Sequence, residues 1–206
     1  MESVNVAEAA DFVEGSHQVV LDEEALHFEP GRRPEAWIFG DLDRIFERAA
    51  AAVGSEREGY DAFGHSAGGQ ILHRAVLFRP DLGARRIVAA NAGFYTLPDL
   101  DVGLPFGMAG TPVGERELRA ALGRDLTLLL GEEDDGPEAG GTFLRSPSAD
   151  AQGEGRLQRG RHFLEAGRAT ADSLGVEFGW EVQTVPGVGH DHERMSEAAA
   201  EYLYGG

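Results

Sequence analysis

The chain contains neither cysteine nor lysine in its 206 residues. Without cysteine there is no disulfide framework, no thiolate metal site and no cysteine nucleophile. Apolar runs are short as well: none approaches the ~20 residues that a membrane-spanning helix requires. Basic charge is scarce, with 18 basic residues, all arginine, against 36 acidic ones and a net charge of −18. Such a surface argues against binding nucleic acid or anionic lipid through non-specific charge. The opening stretch Met1–Val13 carries Glu2, Glu8 and Asp11 and no basic residue, unlike a secretory signal, so a cytoplasmic location is the expectation.

What is present is an ordinary globular composition, 42% hydrophobic and 26% charged, long enough for one domain with a core that needs no cross-links. The exclusive use of arginine has two readings. One is GC-rich coding bias. The other is a salt-adapted surface on which the 14 Asp and 22 Glu hold water and counter-ions.

No internal repeat or low-complexity block is visible. Residues 1–35 form an irregular N-terminal segment with one short apolar run, Val19-Val20-Leu21, and loop signals at Pro30, Gly31 and Pro34. Residues 36–206 read as a single core domain. Within it the spacing predicts helices over Ala36–Val53, Ala67–Phe78, Glu115–Leu122, Arg156–Leu174 and His190–Tyr204. Strands are predicted over Tyr60–His65, Arg86–Ala92, Leu126–Leu130 and Trp180–Val185, with long loops at 97–114 and 132–153. Strands that alternate with helices imply an α/β fold: a mostly parallel sheet with helices on both faces.

The most specific local signal is Gly64-His65-Ser66-Ala67-Gly68-Gly69, placed between a predicted strand and a predicted helix. A sharp strand-to-helix turn calls for glycine on both sides and lifts the serine hydroxyl above the sheet. The backbone N–H of Ala67, at the helix start, can then face a developing oxyanion. His65 lies inside this turn and is expected to line the pocket. A serine needs a base. His190 follows the strand Trp180–Val185 through Pro186-Gly187-Val188-Gly189, at the sheet edge where sites of open α/β folds assemble. His192 is its rival, and otherwise a polar residue of the last helix. No third ligand accompanies His190-x-His192, so no metal is expected. The base in turn needs an orienting carboxylate. Leu126–Leu130 runs into Gly131-Glu132-Glu133-Asp134-Asp135, where Asp134 is favoured over Asp135 and then Glu133. Ser66, Asp134 and His190 stand in the chain order nucleophile, acid, base.

From about Tyr60 to Tyr204 the chain resembles the α/β-hydrolase superfamily, and within it the esterases related to polyhydroxybutyrate-depolymerase-like proteins. The matching stretches are Phe63–Gln70, Ala89–Asp99, Leu130-Gly131-x-x-Asp134, Gln152-Gly153-x-x-Arg156 and Val185–Asp191. The resemblance implies a Ser66, Asp134 and His190 triad, a small-molecule ester substrate and no cofactor. It also places Asn91–Tyr95 at a strand end beside the pocket, with Tyr95 as a substrate contact, and lets the two long loops cover it. One departure stands out. Proteins of this fold carry several strands before the elbow strand, and a pre-elbow loop, often with a His-Gly pair, that supplies a second oxyanion N–H. This sequence has no His-Gly dipeptide, and 65 residues precede Ser66. The expectation is an N-terminally truncated α/β-hydrolase fold. The activities left open are ester hydrolysis, peptide hydrolysis on the same fold, and an inactive or purely binding fragment. Oligomeric state is not legible.

Overall fold

The computed structural model describes residues 10–12, 18–25, 37–136 and 142–205. Its centre is a four-stranded, fully parallel sheet of β3 (Tyr60–His65), β4 (Ala84–Ala90), β5 (Leu126–Gly131) and β7 (Trp180–Val185), adjacent in that order. The helices that link these strands are α2 (Ala67–Phe78), α3 (Glu115–Leu122) and α5 (Arg156–Leu174). The helix α1 (Gly40–Val53) precedes the sheet and α6 (His192–Tyr204) follows it.

The period-two alternation of β4 and β5 explains the layering. Ile87 and Ala89 of β4, with Leu126, Leu128 and Leu130 of β5, enter a core with α2, α3 and α5. Val88, Ala90 and Leu129 point the other way and meet Met195, Ala199 and Leu203 of α6. Burial on both faces is why β5 reads as a mostly apolar run, broken only by Thr127, whose hydroxyl is hydrogen-bonded to that of Tyr202. The larger core is sealed by an aromatic stack: Tyr95 lies on Phe163 at 4.7 Å, and Phe163 on Trp180 at 4.8 Å. Gly167 makes room for that stack, since a Cβ there would meet the Trp180 ring at 2.5 Å. Among the described residues β3 pairs only with β4 and so forms one end of the sheet. All its residues are partly exposed, although the Asp61 side chain is itself buried.

Several expected boundaries move. The first helix starts at Gly40, not Ala36, because Trp37–Phe39 form a turn whose carbonyls accept from Gly40, Asp41 and Leu42; Ala36 lies outside the described residues. The second strand ends at Ala90, not Ala92, because Asn91 takes a φ of 44° and turns the chain. The last helix starts at His192, capped by the Asp191 carboxylate, which accepts the N–H groups of Glu193 and Arg194. His190 is thereby left in the loop.

Part of the segment expected to be irregular is also structured. β1 (Ala10–Phe12) pairs antiparallel with β2 (Gln18–Leu21), which pairs in parallel with β6 (Phe143–Arg145). The loop expected at 132–153 therefore contains β6 and the short helix α4 (Pro147–Ala151) in its described part. Leu21, Phe106 and Ala149 make a small core there. The Glu23 carboxylate accepts both the backbone N–H and the hydroxyl of Ser148.

Candidate active site

β3 ends at His65 and α2 begins at Ala67, so Ser66 must reverse the chain in a single residue. It does so at φ 57° and ψ −113°, a region that costs a non-glycine residue roughly 1–3 kcal/mol. The Ser66 N–H donates to the Ala90 carbonyl at 2.9 Å, and the Ser66 carbonyl accepts from the Gln70 N–H at 3.0 Å. These bonds fix the turn. The glycines divide differently from the sequence expectation. A Cβ on Gly64 would sit 2.6 Å from the Gly68 carbonyl group, and one on Gly69 would sit 2.6 Å from the Ala90 oxygen. A Cβ on Gly68 would meet nothing. The crowded positions are thus 64 and 69, and position 68 supplies the backbone that crowds Gly64. Ala67 is exposed and opens α2, where helix geometry leaves its N–H without an intrahelical acceptor.

The carboxyl ends of β5 and β7 run side by side. The Glu132 N–H donates to the Val185 carbonyl at 3.1 Å and the Glu133 N–H to the Val188 carbonyl at 2.9 Å. Gly131 permits this, because a Cβ there would collide with the Val188 oxygen. Asn91, fully buried at the end of β4, bridges both loops: its Nδ2 donates to the Gly189 carbonyl, and its Oδ1 accepts the Gly131 N–H. Asn91 thus lies at a strand end beside the site.

Of the four successive acids, Glu132, Glu133 and Asp135 are exposed, and Asp134 is fully buried. The His190 Nδ1–H donates to Asp134 Oδ2 at 2.7 Å, and the Ser66 hydroxyl donates to His190 Nε2 at 3.0 Å. Ser66, His190 and Asp134 therefore form one continuous hydrogen-bonded chain built from three different strand ends. His192 is exposed on the first turn of α6 and takes no part in it. Among the described residues, no group of three or more His, Asp or Glu side chains is placed to hold a metal ion.

His65 packs its ring 4.5 Å from that of His190, and its Nε2 is buried without a hydrogen-bond partner among the described residues. Burial first, then the positive potential of His190, push its pKa down to about 4. It is neutral at pH 7. Tyr95 is a correction. It is fully buried in the aromatic stack, so it is a core residue and does not open onto Ser66. Burial raises the pKa of its hydroxyl. His73 is likewise a core residue, with Nδ1–H on the Gly69 carbonyl and Nε2 accepting the Thr96 N–H. His17 and His27 lie outside the described residues.

The sequence reading left three neighbours of the site without a role. Gln152 pairs with both the N–H and the carbonyl of Tyr95. Arg156 and Arg159 are fully buried, and both guanidinium groups lie over the Phe143 ring, at 4.9 and 4.1 Å. Arg156 Nη1–H donates to Asp134 Oδ1 at 3.1 Å. A signal for it was present: two cations in the first turn of a helix run against the helix dipole, so they call for a specific acceptor.

No protein-family model and no curated protein matches the sequence. Solved structures do. A poly(aspartic acid) hydrolase from Sphingomonas sp. KT-1 superposes with a TM-score of 0.80 at 38% identity, over 84% of this chain. LpqC, a poly(3-hydroxybutyrate) depolymerase from Bordetella parapertussis, superposes with a TM-score of 0.79 at 35% identity, over 85% of this chain. The chain spans 65% of the first of these proteins and 59% of the second.

Proposed function

This chain belongs to the α/β-hydrolase superfamily, and on that premise we propose that it is a serine hydrolase that cleaves carboxylic esters through Ser66, His190 and Asp134. The observation that carries the reading is the unbroken hydrogen-bonded path from Ser66 Oγ through His190 to the buried Asp134 carboxylate. Ser66 Oγ attacks the ester carbonyl carbon while His190 Nε2 takes its proton. Asp134 holds the imidazole in the tautomer with hydrogen on Nδ1 and stabilises the imidazolium that forms. The Ala67 N–H faces the oxyanion. His190 then returns the proton to the leaving alcohol, which departs as the acyl-enzyme forms. Water attacks the acyl-enzyme with His190 again as base, and the carboxylic acid leaves as Ser66 regains its proton.

The two named similarities differ in bond type, since one polymer is an amide and the other an ester. The charge of this chain favours the ester. Poly(aspartic acid) is a polyanion, and the residues beside Asp134 and His190 include exposed Glu132, Glu133, Asp135, Asp191 and Glu193. Like charges at that rim oppose a polyanion and leave an uncharged ester unaffected. Labelling of the purified chain with a fluorophosphonate probe tests the reading. Labelling of wild type that is lost in both Ser66→Ala and His190→Ala is the expected result. A folded wild-type chain that takes no label would overturn it in favour of a binding protein of the same fold.

A further inference from the structure

A fully buried carboxylate needs partners for both oxygens. At Asp134 they are different in kind. Oδ2 accepts from His190, and Oδ1 accepts from Arg156, whose side chain is also fully buried. We infer that Arg156 is a positioning residue for the reaction, setting the plane and the charge balance of the carboxylate that orients His190. The inference rests on the reading of Ser66, His190 and Asp134 given above.

Local geometry brings Arg156 to this place and holds it there. It is the first residue of α5, whose start is pressed onto the acid loop: a Cβ on Gly155 would collide with the Asp135 backbone, and the Leu157 N–H donates to the Asp134 carbonyl at 3.0 Å. The start of this 19-residue helix is therefore docked on the backbone of Asp134 and Asp135. The guanidinium cannot swing away. Its Nη2 donates to the Thr142 carbonyl at 3.1 Å, and its face lies on Phe143. Phe143 is backed in turn by Arg159, which is tied to the carbonyls of Gly93, Leu144 and Gly153 and to Asp150.

Two consequences follow for the chemistry. With Oδ1 taken by Arg156, Oδ2 is the oxygen left for His190, so the imidazole is aimed at Ser66 and not merely tethered. In addition, a fixed cation on the far oxygen offsets part of the carboxylate charge that would otherwise favour the imidazolium. The charged and titratable groups around this unit are His65 and His192 beside His190, Tyr95 near Asp134, and Arg159 beside Arg156. None of them touches Asp134 Oδ1 among the hydrogen bonds of the described residues.

The test compares wild type with R156Q, which removes the charge, and R156K, which keeps the charge and loses the planar fork. Two readouts are taken across pH 5–9: the rate of fluorophosphonate labelling, and the downfield Nδ1–H proton resonance of His190, assigned by its loss in H190A. Circular dichroism checks folding. The expected result for R156Q is labelling about 10²-fold slower, with the acid limb of its pH profile moved up by about one unit and the resonance changed. R156K recovers part of the rate and keeps the wild-type acid limb. Folded R156Q with a wild-type pH profile and an unchanged resonance would overturn the inference. If R156Q does not fold, R156K decides: a wild-type rate and resonance overturn the inference, and a slower rate with a changed resonance supports it. The resonance needs no turnover. A wild-type chain that fails to label would thus sink the proposed reaction while Arg156 is still judged on the proton signal.

Discussion

Asp134 differs from Glu133 and Asp135 in one respect that matters, which is burial. Sequence position favoured Asp134 over Asp135 and then Glu133, but only narrowly, because each follows the same strand within a few residues. The close approach of Gly131 to Val188 and of Gly155 to Asp135 decides it by turning the Asp134 side chain inward. The expected consequence is unequal loss. D134N should slow fluorophosphonate labelling by about 10⁴-fold, through the wrong imidazole tautomer, and E133Q and D135N should stay within a few-fold of wild type. Equal losses in all three would show that the carboxylates are interchangeable. Burial also gives His65 a pH signature. The unfolded chain takes up a proton on this residue near pH 6.5, and the folded chain does so only at about 4. Between those values the unfolded state binds more protons, so stability falls as pH is lowered through the window. Buried His73 acts in the same direction. The carboxylates held low, such as Asp61 beside Arg86, weaken the fold only below their ordinary range, near pH 4. Thermal melts at pH 7 and pH 5 should therefore show wild type losing Tm, and H65N losing several degrees less. Equal losses would mean that His65 charges freely in the fold.

Elements with a strong period and clear stops were legible in full. The strand Tyr60–His65 and the helices Ala67–Phe78 and Arg156–Leu174 fall where the sequence places them, because apolar spacing, Gly175 and Pro80 mark them locally. Elements whose partner lies far away were not legible. β6 has three residues and pairs with β2, more than a hundred positions earlier, and α4 has one turn and half. Nothing in a short window announces either. The same distinction applies to the site. Ser66 and His190 carry their own local signals, an elbow and a glycine-rich turn. The pairing of Arg156 with Asp134 exists only after α5 has docked on β5. The elbow itself makes a prediction at this scale. Gly69, not Gly68, lets α2 approach β4, so G69A should destabilise the fold by about 1–3 kcal/mol, with G68A nearly neutral in urea unfolding. The reverse order would contradict the close contact of Gly69 with Ala90.

At the scale of the whole molecule, the net charge of −18 acts on stability and, on the proposed reading, on substrate choice through the same field. Self-repulsion among 36 carboxylates opposes the compact state, and salt screens it over a Debye length of ~10 Å at 0.1 M and ~3 Å at 1 M. If the arginine-only, acid-rich surface is an adaptation to salt, Tm should climb steeply from low to molar KCl. A flat profile would leave coding bias as the explanation. The substrate side can be separated from the stability side by using two substrates at a salt concentration where the chain is fully folded. A neutral short-chain ester carries no charge to the acidic rim, so its kcat/KM should vary little with further salt. On the proposed reading poly(aspartic acid) meets the exposed carboxylates of Glu132, Glu133, Asp135 and Asp191, so any cleavage should be slow and should rise with salt. Efficient cleavage of poly(aspartic acid) at low salt, with the neutral ester left intact, would reverse this assignment. The amide polymer would then be the substrate class, and the acidic rim would lie outside the path that the polymer takes to Ser66.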